Sequence, residues 1–174
     1  LEFQNKEKEK REIANKELEA YNNTVQLASQ YARSLIEASL DPMFTINPEG
    51  KITDMNLASV NITGKTREAL IGTDFFDYFT EPEKAREGYK EVFAKGFVAD
   101  YPLTIRDHKL TDVLFNGSVY KDGQGKVLGV VVVARDITDQ KRIEKELIEA
   151  IVIAEMATKI SEDTKLKAEA ATLL

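Results

Sequence analysis

The sequence predicts an α+β fold: an antiparallel sheet with short helices, held between two long helical arms. Three observations predict it. All nine glycines and all four prolines lie between Pro42 and Gly129, which leaves both flanks free of helix breakers. Within that window two short strand-like runs precede a helical stretch, and three longer ones, alternating at period two, follow it. At Asp136-Ile137-Thr138 the period changes from strand to helix within three residues, and the helical pattern then continues to the C-terminus. The chain accordingly divides into an N-terminal coiled-coil arm (1–40), a globular middle (41–137) of roughly a hundred residues, a usual domain size, and a C-terminal coiled-coil arm (138–174).

From Phe3 to about Ser39 the chain reads as one helix. Its start, NKEKEKREIANKELEA, suits a solvated surface; Ala14, Leu18, Tyr21, Val25, Ala28, Ala32 and Leu35 then step by four and three, a heptad seam. Asp41-Pro42 ends it, because proline drives the preceding residue out of the helical region. Two short strands, Met43–Asn47 and Lys51–Met55, meet at the turn Pro48-Glu49-Gly50. A short helix over Asn56–Thr63 stops at Gly64, Thr66 starts another turn of helix, and DFFDYFT (Asp74–Thr80) concentrates aromatic rings. Glu81-Pro82 opens a longer helix with an apolar face marked by Tyr89, Val92 and Phe93, closed at Gly96. Three longer strands follow, Tyr101–Arg106, Asp112–Tyr120 and Lys126–Arg135, the last two joined by a hairpin at Asp122-Gly123. The four consecutive valines Val130–Val133 are stiff, β-branched and suited to a sheet.

The hand-over from the last strand to the C-terminal arm organises the rest. Asp136 or Thr138 can cap the new helix, and Asp139 suits the positive end of its dipole. Along the arm, Ile143, Leu147, Ala150, Ala154, Ala157, Ser161, Thr164, Ala168 and Ala171 again step by four and three. At 1.5 Å per residue the arm is ~50 Å long, against ~33 Å for the width of a hundred-residue domain. It therefore overhangs, and its seam needs a second helix: the N-terminal arm, or the same arm of another subunit. A parallel homodimer is the favoured pairing, through Leu18, Tyr21, Val25, Ala28 and Leu35 in one arm and Ile143, Leu147, Ala150, Ala154 and Ala157 in the other. A sheet strand fused to an exposed helix works as a lever, with Arg135, Asp136, Ile137 and Thr138 as its joint.

Composition narrows the function. A net charge of −6 argues against a nucleic-acid partner, which needs a basic surface. No apolar run approaches the ~20 residues of a membrane span and no signal peptide is present, so a cytoplasmic setting without membrane contact is expected. With no cysteine and one histidine, His108, there is no room for thiol chemistry, a Cys/His metal site or a His-based triad. His108 in RDHKLT reads as a loop residue between the third and fourth strands. The glycines of Gly123–Gly129 lack phosphate-loop spacing and precede a strand. No catalysis is expected of this segment.

KITDMN (Lys51–Asn56), ITG (Ile62–Gly64), TREALIGTDFFDYF (Thr66–Phe79), EPEKAREGY (Glu81–Tyr89) and VYKDGQGKVLGVVVVARDIT (Val119–Thr138), in this order and spacing, resemble a PAS domain of the kind found in bacterial sensor histidine kinases. The resemblance covers roughly Tyr31–Leu147. The C-terminal arm is similar to the helix that precedes the phosphoacceptor-histidine helix of hybrid kinases; the histidine box itself and any ATP-binding region are missing.

The resemblance implies a five-stranded antiparallel sheet with short helices on one face and a cavity between them that can hold a small molecule. Alternation places Phe44, Ile46, Leu103, Ile105, Val113, Phe115, Val130, Val132 and Ala134 on the cavity face. Phe75, Phe79, Tyr89 and Phe93 would close it from the helix side, and Asn56 and Asn116 are the polar residues to watch, with helix N-cap and outward strand residue as their plainer roles. An ordinary apolar core without ligand has the same spacing. Flavin-bonding and cinnamate-type relatives need a cysteine, the former also a glutamine where this chain has Ala134, and haem-binding relatives a histidine on the helix where Glu81–Lys95 has none. No known cofactor is predicted; an apolar or weakly polar small molecule, or no ligand, remains. The implied function is a sensory or signal-relay module of a two-component kinase, dimeric through its arms and passing its signal to the kinase domain of the same parent chain. The alternative is a structural dimerisation unit or spacer without ligand.

Overall fold

The periodicities take shape in the computed structural model, which describes residues 2–106 and 109–172. His108 lies outside the described residues. The elements in order are α1 (Glu2–Ala38), β1 (Met43–Ile46), β2 (Ile52–Met55), α2 (Leu57–Thr63), α3 (Arg67–Leu70), a 3₁₀ turn (Phe75–Tyr78), α4 (Pro82–Lys95), β3 (Phe97–Arg106), β4 (Leu110–Lys121), β5 (Val127–Asp136) and α5 (Thr138–Thr172). The strands form one antiparallel sheet in the order β2-β1-β5-β4-β3.

The valine-rich β5 is the central strand, bonded to β1 with Met43 opposite Val133 and to β4 with Val113 opposite Asp136. The strand that follows α1 and the strand that leads into α5 are thus neighbours. At their shared end the Ala134 N–H donates to the Pro42 carbonyl at 2.8 Å. β1 and β5 approach so closely at Gly129 that a Cβ there would lie 2.2 Å from the Ile46 carbonyl oxygen.

β3 starts at Phe97, four residues before the expected Tyr101. A bulge between Val98 and Tyr101 breaks the period-two pattern, and Asp100 takes a left-handed φ of 51°. The β4–β5 connection is a five-residue loop rather than a two-residue turn. Asp122 Oδ1 accepts from the N–H groups of Gln124 (2.9 Å) and Lys126 (3.0 Å), which delays β5 to Val127.

Inward-facing side chains of all five strands meet Leu70, Phe75, Phe76, Phe79, Ala85 and Val92 from the helices in one core. The outer edge of β2 is covered by Gly72 and Thr73, which exchange backbone bonds with Ile52. The arms differ from this core. From Thr138 to Ala171 every residue of α5 is exposed, and in α1 from Gln4 onward only Arg33 and Glu37 are less than exposed. Among the described residues no helix is long and apolar enough to cross a membrane.

Candidate functional site

All nine residues assigned to the inner sheet face, Phe44, Ile46, Leu103, Ile105, Val113, Phe115, Val130, Val132 and Ala134, are buried. Phe75 stands at their centre, edge-on to Phe44 (5.5 Å between ring centroids), Phe79 (5.0 Å) and Phe115 (5.9 Å). Phe79 in turn meets Phe115 at 5.3 Å. The space left between sheet and helices is about 20 Å³, room for a single water, bordered by Phe75, Gly88, Val92, Tyr101, Phe115 and Val132. The protein's own aromatic side chains fill the cup.

Two expectations for this cup are corrected. Phe93 does not close it: α4 turns Ala85, Gly88 and Val92 inward, and Phe93, 100° further round the helix, is 37% exposed and packs edge-on to Tyr89 from outside. The helix lies close to β3 because Gly88 leaves a notch for Tyr101; a Cβ there would come within 2.9 Å of that ring. Tyr89 is half-buried at the rim, edge-on to Phe76 at 5.4 Å, with its hydroxyl donating to the Asn47 carbonyl. Burial, reinforced by the charge of Glu49, pushes its hydroxyl up to about 12.

Asn56 is the second correction. It is fully buried, yet it faces the root of α1 rather than the cup. Its Oδ1 accepts from the N–H groups of Met43 (3.0 Å) and Ser59 (3.1 Å), capping α2, while Nδ2 donates to the carbonyls of Ile36 (3.2 Å) and Asp41 (2.9 Å), capping the end of α1. No polar atom remains to meet a ligand. Asn116 likewise serves the fold, since its Oδ1 accepts from the N–H of Asp100 at 3.0 Å and holds the β3 bulge.

Around Asn56 lies a ring of charges that sequence spacing did not reveal. Arg33 and Arg67 each bond both Asp54 and Glu37. Arg67 reaches Asp54 and Glu37 at 2.7 Å each and also donates to the Met55 carbonyl. Glu37 returns the tie by accepting from the Leu57 N–H at 2.7 Å, at the start of α2. Burial alone would raise the Asp54 carboxyl; hydrogen bonds from Arg33 and the Met55 N–H, with the charges of Arg33 and Arg67, outweigh it and hold Asp54 below the usual carboxylate range. The Asp54 hydrogen bond in turn raises Arg33, so both stay charged. Charges 21 to 30 residues apart in the chain thereby lock α1 to β2, α2 and α3.

The root of α5 is built differently. Of the four joint residues, Ile137 is buried, and Arg135, Asp136 and Thr138 are exposed. Asp136 Oδ1 accepts from the Thr138 N–H at 2.8 Å, so Asp136 rather than Thr138 supplies the cap. The Ile137 N–H donates to the Asp112 carbonyl at 3.0 Å, and Lys141 Nζ reaches Asp112 Oδ2 at 2.7 Å. Asp112 also accepts from the Thr104 hydroxyl at 2.8 Å; the Lys141 and Thr104 bonds lower its carboxyl. A groove of about 430 Å³ separates the two roots, bordered by Ala38, Leu40, Pro42, Leu57, Ile62 and Asp136 among others.

Within one chain no described residue buries the predicted seams. Leu18, Tyr21, Val25, Ala28 and Leu35 on α1, and Ile143, Leu147, Ala150, Ala154 and Ala157 on α5, are all exposed.

Comparison with known proteins agrees with this architecture. Residues 40–139 match the family model of the PAS domain. No curated protein matches the chain. A PAS domain from a two-component sensor histidine kinase superposes with a TM-score of 0.56 at 18% identity, over 64% of this chain and 98% of that one. The PAS domain of a protein from Colwellia psychrerythraea gives 0.57 at 17% identity, over 65% and 98% of the two chains. A domain of a sensory box sensor histidine kinase/response regulator from Geobacter sulfurreducens gives 0.50 at 20%, over 64% and 96%. At these identities the likeness is one of fold. The family match spans more than half of the sequence, and it coincides with the five-stranded sheet and the helices packed on it: the chain belongs to the PAS domain family.

Proposed function

We propose that this chain is a signal-relay module of a cytoplasmic sensor kinase, dimeric through its arms, without catalysis of its own. It takes a mechanical input through α1 and delivers it through α5 to the kinase domain of the same parent chain. One observation carries the reading: β1 and β5, the strands continuous with the two arms, pair with each other from Met43–Val133 to Ile46–Val130. A twist or pull on α1 displaces β1, and β1 shares its hydrogen bonds with the strand that ends in α5.

The filled interior supports an input arriving through α1 over one arriving as a ligand, since a small molecule would have to displace Phe75 or Phe79 from a close-packed cluster. Two glycines inserted after Thr138 in the full-length protein test the relay. The expected result is loss of regulated output with the melting transition of the core preserved; unchanged signalling rejects the lever. Thermal shift against a metabolite set tests the ligand-free input, because a compound that binds only the folded state raises its stability by RT ln(1 + [L]/Kd). No shift is expected.

A further inference from the structure

The relay makes no use of the groove between the two roots. Its walls include Leu40, Pro42, Leu57 and Ile62, and Thr111 of β4 lines it as well. Leu40 is 94% exposed and Leu57 55%, so the walls are open to solution. Thr111 is buried, in the inner-face register that it shares with Val113 and Phe115. Among the described residues its hydroxyl is the only buried side-chain oxygen or nitrogen without a hydrogen-bond partner. Valine has the same shape and would leave nothing unpaired, so the hydroxyl destabilises the fold unless a group from outside meets it. Toward the core its neighbours are apolar: Ile105 stands opposite Thr111, and Phe79 bridges to Ile105. The groove is the side from which a partner can come.

The charges on the groove's border cancel. Glu37 belongs to the ring in which two arginines face two carboxylates, and Asp136 and Lys109 contribute one charge of each sign. An ionised ligand finds no surplus counter-charge there and loses hydration on entering.

We infer that the groove is a binding site for a small uncharged amphiphile, its alkyl part against Leu40, Pro42, Leu57 and Ile62 and its hydroxyl or amide head bonded to Thr111. Such a molecule touches both roots at once, at Ala38 on the α1 side and at Asp136 on the α5 side. It leaves the aromatic-filled cup as it is, so the relay reading does not depend on it. The Thr111 hydroxyl is closed to bulk water, so the head reaches it only by displacing a neighbouring side chain, and the open groove covers one side of the ligand. Binding is accordingly weak, with a dissociation constant of about 1–10 mM for a molecule of about seven heavy atoms. At a tenth of that concentration the gain in stability is about a tenth of RT, and a metabolite screen by melting stays silent.

The probe is 1-hexanol, titrated into the full chain and followed by NMR through the methyl signals of Leu40, Leu57 and Ile62. The expected result is saturable movement of these signals, with that of Val132 in the cup unmoved. Thr111→Val keeps the shape of the side chain. It is expected to raise the dissociation constant about three- to tenfold without lowering the melting transition of the core. Hexanoate is expected to bind more weakly than hexanol. A groove whose signals do not saturate overturns the site and leaves the relay standing. Movement of Val132 in their place overturns both the site and the ligand-free input. If Thr111→Val binds hexanol as tightly as the unmodified chain, the hydroxyl plays no part and the site falls. A marked drop in the melting transition of Thr111→Val shows that the hydroxyl has its partner within the protein, with the same consequence. Hexanoate binding as tightly as hexanol overturns the uncharged class.

Discussion

The two roots of the arms are held by different physics. At the N-terminal root a fully buried asparagine caps two helices at once, and four charged side chains close a ring around it, joining α1 to three other elements. Among the described residues, the C-terminal root joins α5 to β4 through the Lys141–Asp112 ion pair, buried Ile137 and the Ile137 backbone bond to Asp112. Within one chain both helices are exposed beyond their roots, so the roots are what tie each arm to its own core. Among the described contacts, α1 is thus tied to the core by more bonds than α5 is. On the proposed relay, that asymmetry would let the firmly held α1 transmit displacement and the more lightly held α5 turn it into a change of direction.

The asymmetry breaks most sharply at Asn56. Asn56→Ala leaves the Met43 N–H without its side-chain acceptor and removes the buried amide's bonds to Ile36, Asp41 and Ser59, which keep only their weaker local partners, so a loss of about 3 kcal/mol is expected. For a core of this size that corresponds to a melting temperature lower by roughly 12–24 °C. Hydrogen exchange should show the last turns of α1 released, and protection retained there rejects the clamp. Arg67→Ala comes next. It opens the charge ring from its less exposed side and is expected to cost about 1.5 kcal/mol, read by chemical denaturation. Lys141→Met at the other root is expected to cost only about 0.5 kcal/mol, as for other half-exposed pairs. Should Lys141→Met destabilise as much as Arg67→Ala, the two roots would be equal and the asymmetry would be gone.

How much of this was legible in the sequence follows from the range of the interactions. Period-two alternation depends on neighbours two residues apart, and the nine strand residues it assigns to the inner face, from Phe44 to Ala134, are all buried. It breaks in β2, whose buried Ile52 and Met55 are three residues apart, and at the bulge at Val98–Tyr101. The inner face of α4 was misread because its contact surface is made of small residues, Ala85 and Gly88, that admit Tyr101; large apolar residues drew attention to Phe93 instead. The charge ring was invisible for a different reason. Its members lie in a helix, a strand and a second helix, and a charged residue at such spacing looks like solvated surface until the fold brings the four together. Asn56 was visible as a helix cap, but the α1 carbonyls it also serves belong to a different element.

The smallest expected effect separates the parts of the C-terminal root from one another. The Asp112 carboxyl is lowered first by its hydrogen bond from Lys141 and then by that from Thr104. A carboxyl lowered on folding contributes stability that is present above its unfolded pKa, near 3.9, and is lost as pH falls through the folded value. The tie between α5 and β4 should therefore loosen only in acid, below about pH 4. The side-chain carboxyl carbon of Asp112, followed by NMR across that range, should titrate below the usual aspartate range in the unmodified chain. In Lys141→Met it should move upward without returning fully, because the Thr104 hydroxyl still donates, and adding Thr104→Val should remove the remainder. An Asp112 titration that ignores Lys141→Met would show that the ion pair does not hold the root. Among the described contacts, Ile137 and its backbone bond to Asp112 would then carry the attachment of α5 to β4, and this root would be weaker still relative to the clamp at α1.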